Sequence, residues 1–67
     1  MDVRAIILLT RSLEPHEGVE AQENEIKRLV DDSVERQAQD NYTLINVSVM
    51  GEEENGTVKL LVMFAKE

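Results

Sequence analysis

The chain has 67 residues, a formal net charge of −7 from 14 acidic and 7 basic side chains, and no cysteine. That length holds one domain, which buries only about 60% of the surface its unfolded chain exposes, and without thiols neither disulfides nor thiolate zinc sites can add stability. An acidic chain lacks the basic face that draws phosphates to a nucleic-acid-binding module. Direct nucleic-acid binding is therefore not expected, and association between copies is the expected support for so small a core.

Residues 3–10 read as a first strand. Val3, Ala5, Ile7 and Leu9 alternate with Arg4, Ile6, Leu8 and Thr10, so both faces are apolar at the centre, and the β-branched residues at 3, 6, 7 and 10 suit a pleat better than a helix. The apolar run from Ala5 to Leu9 is too short for a membrane span or the apolar core of a secretion signal, which predicts a soluble, cytoplasmic protein with no membrane partner. Residues 11–18, with Pro15 and Gly18, read as a loop.

A helix follows from about Glu20 to Gln39. Ile26, Leu29, Val30, Val34 and Ala38 recur at spacings of three and four and form one narrow stripe. The other positions are polar, with Glu23–Lys27 and Asp32–Arg36 spaced for i,i+4 pairing. Asp40-Asn41 ends the helix. Residues 42–50 read as a second strand, with Ile45, Val47 and Val49 set against Leu44, Asn46, Ser48 and Met50. One face is apolar and the other mixed, as at a sheet edge.

Asn55-Gly56 is a hairpin turn dipeptide, because both residues tolerate positive φ. It leads into a third strand, residues 57–65, with Val58, Leu60, Val62 and Phe64 on one face and, after Lys59, Leu61, Met63 and Ala65 on the other. A strand apolar on both faces belongs at the centre of a sheet. The order strand, helix, strand, strand thus predicts an α+β fold, β-α-β-β, with a three-stranded sheet in the order 1-3-2 and one amphipathic helix on one face. A crossover through the helix makes the first two strands parallel and leaves room between them for the third. With the helix on one side, Ile6, Leu8, Leu44, Leu61 and Met63 are expected on the other, as the interface of a homo-oligomer formed sheet on sheet or edge to edge.

No residue set in the chain has catalytic spacing. His16, the one imidazole, has Ser12, Glu14 and Glu17 nearby but no triad or nucleophile elbow, and reads as a solvated loop residue. Thr10-Arg11-Ser12, placed before a helix N-terminus, combines hydroxyls, a guanidinium and free backbone N–H groups suited to an anion, although the glycine pattern of a phosphate loop is absent. Arg4 and Lys59, brought in from other subunits, would add positive charge there, and Tyr42 could stack on a planar ligand. These six residues are the candidates for a small anionic or planar ligand. Glu52, Glu53 and Glu54 lack the alternating oxygen ligands of a calcium loop, so no metal is expected. The acidic helix face, with Glu17, Glu20, Glu23, Glu25, Asp31, Asp32 and Glu35, is the candidate surface for a basic protein partner.

In element order and length the whole chain resembles dodecin, a small flavin-binding protein that assembles into a hollow shell. The segment from Leu44-Ile45-Asn46-Val47 through Glu52-Glu53-Glu54 to Met63 is similar to small Bacillus sporulation-associated proteins of unknown role. The dodecin resemblance implies assembly of many copies. Its flavin site implies a stacking Trp and a hydrogen-bonding Gln, and this chain has no Trp, so no cofactor is expected. The expected function is that of a non-enzymatic, homo-oligomeric binding protein that sequesters a small ligand between subunits or binds a protein partner. The alternative is an acidic, phage-type inhibitor that imitates nucleic acid to occupy a nucleic-acid-handling or defence protein.

Overall fold

Among the described residues, the fully apolar core consists of four side chains on one strand: Val58, Leu60, Val62 and Phe64, each no more than 3% exposed. They belong to a computed structural model that describes residues 1–53 and 55–67. β1 (Asp2–Leu9) leads through a short 3-10 turn (Pro15–Glu17) into α1 (Gly18–Ala38), which is followed by β2 (Thr43–Glu52) and β3 (Val58–Lys66). The sheet order is β1-β3-β2. β3 runs antiparallel to both neighbours, so β1 and β2 are parallel, and the α+β, β-α-β-β arrangement expected from the sequence is the one observed. The described hairpin tip includes Glu52, Glu53, Asn55 and Gly56, while Glu54 lies outside the described residues.

Residues paired directly across an antiparallel ladder project from the same side of a sheet, so the register assigns the two faces. On β1, Arg4 lies opposite Phe64, Ile6 opposite Val62 and Leu8 opposite Leu60. The helix covers this side: Ile26, Val30 and Val34 pack on the core from above, and Ile6, Leu8, Tyr42 and Leu44 seal its flanks. Ile6, Leu8 and Leu44, expected on the open face, are thus on the covered one. Two contacts turn β1 this way round. Thr10 Oγ1 accepts the Val58 N–H at 2.9 Å, and the Arg4 guanidinium reaches Gln37 near the end of α1 at 2.6 Å; both side chains share the phase of Ile6 and Leu8.

β2 reaches the same result by a different route. Its register against β3 slips between Leu44 and Asn46 and again between Val49 and Gly51. At each slip two residues of β2 advance past one of β3, the signature of a β-bulge. The first shift puts Leu44, opposite Phe64, in phase with Val47, opposite Val62, and Val49, opposite Leu60, although strict alternation would separate Leu44 from the two valines.

The helix ends in a Schellman motif. Asn41 takes a left-handed φ of 65°, its N–H bonds to Ala38 O at 3.0 Å, and the Tyr42 N–H returns to Gln37 O at 3.0 Å, which satisfies the carbonyls that a helix end leaves free. At the other end of the sheet, the β2–β3 turn packs against the β1–α1 loop. Ser12 Oγ donates to Asn55 O, and a Cβ added at Gly56, whose φ is +84°, would lie 2.5 Å from Leu13 O.

The result is an elongated two-layer plate, 43 × 18 × 13 Å. Because the core is so small, its members carry a large share of the stability. Phe64→Ala should cost about 3–5 kcal/mol, comparable with the whole folding free energy of a small domain; loss of cooperative urea unfolding monitored by circular dichroism would check it.

Candidate functional site

Among the described residues, no element covers the side of the sheet away from α1. In phase with Leu61, Met63 and Ala65 on β3 are Ile7, Ala5 and Val3 on β1, which lie directly opposite them, while Leu9 lies opposite Lys59. Val3, Ile7 and Leu9 are each more than half exposed, at 53%, 58% and 55%, and Leu61, Met63 and Ala65 are half-buried by their neighbours on the sheet. Across β2 the same side is mixed, with Thr43 opposite Ala65, Asn46 opposite Met63 and Ser48 opposite Leu61, and with Ile45, at the first bulge and 54% exposed, lining a groove beside Thr43 and Ala65; Asn46 Nδ2 donates to Ser48 Oγ at 3.1 Å. The open face is therefore an apolar strip on β1 and β3 with a mixed border on β2, where hydroxyl and amide groups adjoin Ile45. Of the five residues expected there, Leu61 and Met63 are present. Val3, Ala5, Ile7 and Leu9 replace Ile6 and Leu8.

The six ligand candidates do not converge within one chain. Arg4 and Tyr42 meet at one end of the plate, where the guanidinium stands 4.0 Å from the ring centroid and binds Asp40 at 3.2 Å; Lys66 Nζ is 5.7 Å from the same ring. Thr10, Arg11, Ser12 and Lys59 lie near the opposite end, about 23 Å away along β1 at the usual rise per strand residue. The Thr10 and Ser12 hydroxyls are engaged with Val58 N–H and Asn55 O. Lys59, half-buried, lies on the open side of the sheet, whereas Thr10 shares the phase of Leu8 on the helix side. Shallow grooves flank this end, one of about 600 Å³ between Leu13, Val19, Gln22 and Glu52.

Arg11 belongs to an ion-pair chain whose length the sequence does not disclose. Its guanidinium binds Glu17 at 2.8 Å and approaches Glu25 at 3.7 Å. Glu25 in turn holds Arg28 at 2.6 Å, and Arg28 reaches Asp32 at 3.4 Å. Glu25 is only 8% exposed, and guanidinium groups lie over its carboxylate. Hydrogen bonding from Arg28 holds the Glu25 carboxyl below the usual carboxylate range, with Arg11 adding to the effect. Glu17 is lowered by its bond from Arg11 and by the Glu14 N–H, which it accepts at 2.7 Å. Arg11 and Arg28 are raised by the same bonds to Glu17 and Glu25. The chain ties the end of β1 to about the first four turns of α1, a structural role that occupies Arg11. Sequence spacing could have suggested Arg28–Asp32, but the link from Arg11 to Glu25 exists only in the fold.

His16 is exposed. Among the described residues no group of three or more His, Asp or Glu side chains is placed to hold a metal ion, and no helix is long and apolar enough to cross a membrane. No known protein family, curated protein or solved structure matches the chain.

The Glu25 shift has a definite pH signature. A carboxyl whose folded pKa lies below its unfolded value contributes stability above the unfolded value, near 4.3, and loses that contribution as pH falls through the folded one. Urea midpoints of the parent should therefore drop below about pH 4.3. Glu25→Gln should start lower at pH 7 and show a flatter acid limb.

Proposed function

We propose that the protein is a non-enzymatic, homo-oligomeric binding protein that assembles through the open face of its sheet and presents its acidic helices to a protein partner. The observation that carries this reading is the apolar strip of Val3, Ala5, Ile7 and Leu9 beside Leu61, Met63 and Ala65. Two eight-residue strands present roughly 250 Å² in projection. A symmetric pair burying this strip removes about 500 Å² from water, a gross gain of about 12 kcal/mol, against roughly 4–15 kcal/mol lost on association. The balance is close to even, so the strip supports assembly without by itself making it strong. A chain stacked face to face with a copy has its helices outermost, and the exposed side of α1 carries Glu20, Glu23, Asp31, Asp32 and Glu35 against Lys27, Arg28 and Arg36, a negative excess suited to a basic surface.

A protein partner fits better than a small ligand at the residues first considered. The Arg4 and Arg11 guanidiniums already hold carboxylates of their own chain, and the Thr10 and Ser12 hydroxyls are engaged by the backbone. A ligand between subunits would have to draw on Lys59, at the rim of the strip. The same engagement of hydroxyls, together with an exposed His16, supports a non-catalytic role. The resemblance to dodecin is in keeping with assembly and adds nothing on the partner.

Leu61→Glu places a charge at the centre of the strip. It should lower the assembly mass seen by size exclusion with light scattering; an unchanged mass would remove the face from the interface. Binding to an Arg- and Lys-rich peptide should weaken steeply with salt and on charge reversal at Glu23 and Asp31. Salt-independent binding would exclude the acidic helix as the contact surface.

A further inference from the structure

We infer that β1 is a second assembly surface, which pairs edge to edge with β1 of another copy to make a continuous six-stranded sheet. The inference rests on an account of backbone hydrogen bonds. Thr10 N–H bonds to Val58 O at 3.0 Å, and the register from Asp2 to Leu9 is unbroken. Successive residues of a strand turn their N–H and C=O groups to alternate sides, so Arg4, Ile6 and Leu8 face β3. The amides and carbonyls of Val3, Ala5, Ile7 and Leu9 face outward, and a regular row of such groups is a template for another strand.

The two edges of the sheet differ in this respect. β2 is interrupted by two bulges, a device that breaks the regularity an incoming strand requires. β1 has no proline, bulge or glycine, and among the described residues β3 is the one strand paired with it, which leaves its other edge unpaired by any strand.

The outward groups are self-complementary, which selects a second copy as the occupant. With a twofold axis at Ile6, Val3 falls opposite Leu9 of the other copy and Ala5 opposite its Ile7. Each such pair exchanges two hydrogen bonds, so all four outward donors and all four outward acceptors of each strand are used. Centring the axis on Ala5 would set Leu9 opposite Met1, outside the strand. In the Ile6-centred register Arg4 opposes Leu8 and Asp2 opposes Thr10, so no like charges meet. The pairing also joins the two open strips, because β1 and β3 from both copies then lie side by side, with the β2 strands at the outer borders.

Size points the same way. The whole broad side of the molecule, 43 by 18 Å, is no larger than the roughly 800 Å² that each partner of a stable interface buries, and the open strip is a fraction of it. A strip doubled by edge pairing is the larger target for the face contact proposed above. The edge contact itself uses no side chain of the strip and stands or falls without the face.

Ala5→Pro removes an outward donor and no β1–β3 hydrogen bond, a substitution tolerated on an edge strand. By native mass spectrometry at matched concentration, Ala5→Pro should have half the parent mass, and Ala5→Pro combined with Leu61→Glu should be monomeric. A parent that is monomeric, or an Ala5→Pro assembly of parent mass, would overturn the edge contact; a Leu61→Glu assembly of parent mass would instead overturn the face. Residue-resolved hydrogen exchange on the parent gives the answer without any variant. Amides of Val3, Ala5, Ile7 and Leu9 should exchange as slowly as those of Arg4, Ile6 and Leu8, and exchange at free-amide rates would overturn the proposal.

Discussion

β3 has to be hidden from water on both sides and bonded along both edges. Val58, Leu60, Val62 and Phe64 fill one face and Leu61, Met63 and Ala65 the other, so no position for this strand except the centre of the sheet satisfies it. Once β3 is central, β1 and β2 must flank it, and a single helix can cover only one of the two faces. The open strip is what remains after the chain has met the demand of its own central strand with too few elements.

The polar contacts serve to hold the flanking pieces in phase with that strand. Thr10 closes the β1–β3 ladder by accepting the Val58 N–H with its side chain, Arg4 joins β1 to the end of α1 through Gln37, Asp40 and the Tyr42 ring, and the chain from Arg11 to Asp32 secures the start of the helix. Individually, exposed ion pairs contribute little. Their effect here is to select the side of β1 that faces the helix, a choice the hydrophobic pattern leaves open.

That division explains what could be read from the sequence. Element order, sheet order and the central position of β3 follow from alternation and from the Asn55-Gly56 turn, which are local signals. The facing of β1 did not follow, because Val3-Ala5-Ile7-Leu9 and Ile6-Leu8 are almost equally apolar and the deciding contacts of Arg4 and Thr10 span more than thirty positions of sequence. The facing of Leu44 is hidden for a different reason: a bulge inverts alternation partway along β2, and a period of two cannot register an inserted residue. Among the ligand candidates, residue type was legible, but whether a guanidinium or hydroxyl is already engaged depends on distant carboxylates and backbone groups.

The register of β1 on β3 joins Asp2 to Lys66 and Leu9 to Lys59, so the first strand made waits for the last. The hairpin of β2 and β3 and the turns of α1 can form from neighbouring residues, whereas β1 has no partner until β3 is in place. Such long-range pairing is the slow part of folding, and for that interval the run from Ala5 to Leu9 is exposed on an incomplete fold, where it is open to misassociation. The topology thus places the period of greatest vulnerability before the first strand is paired.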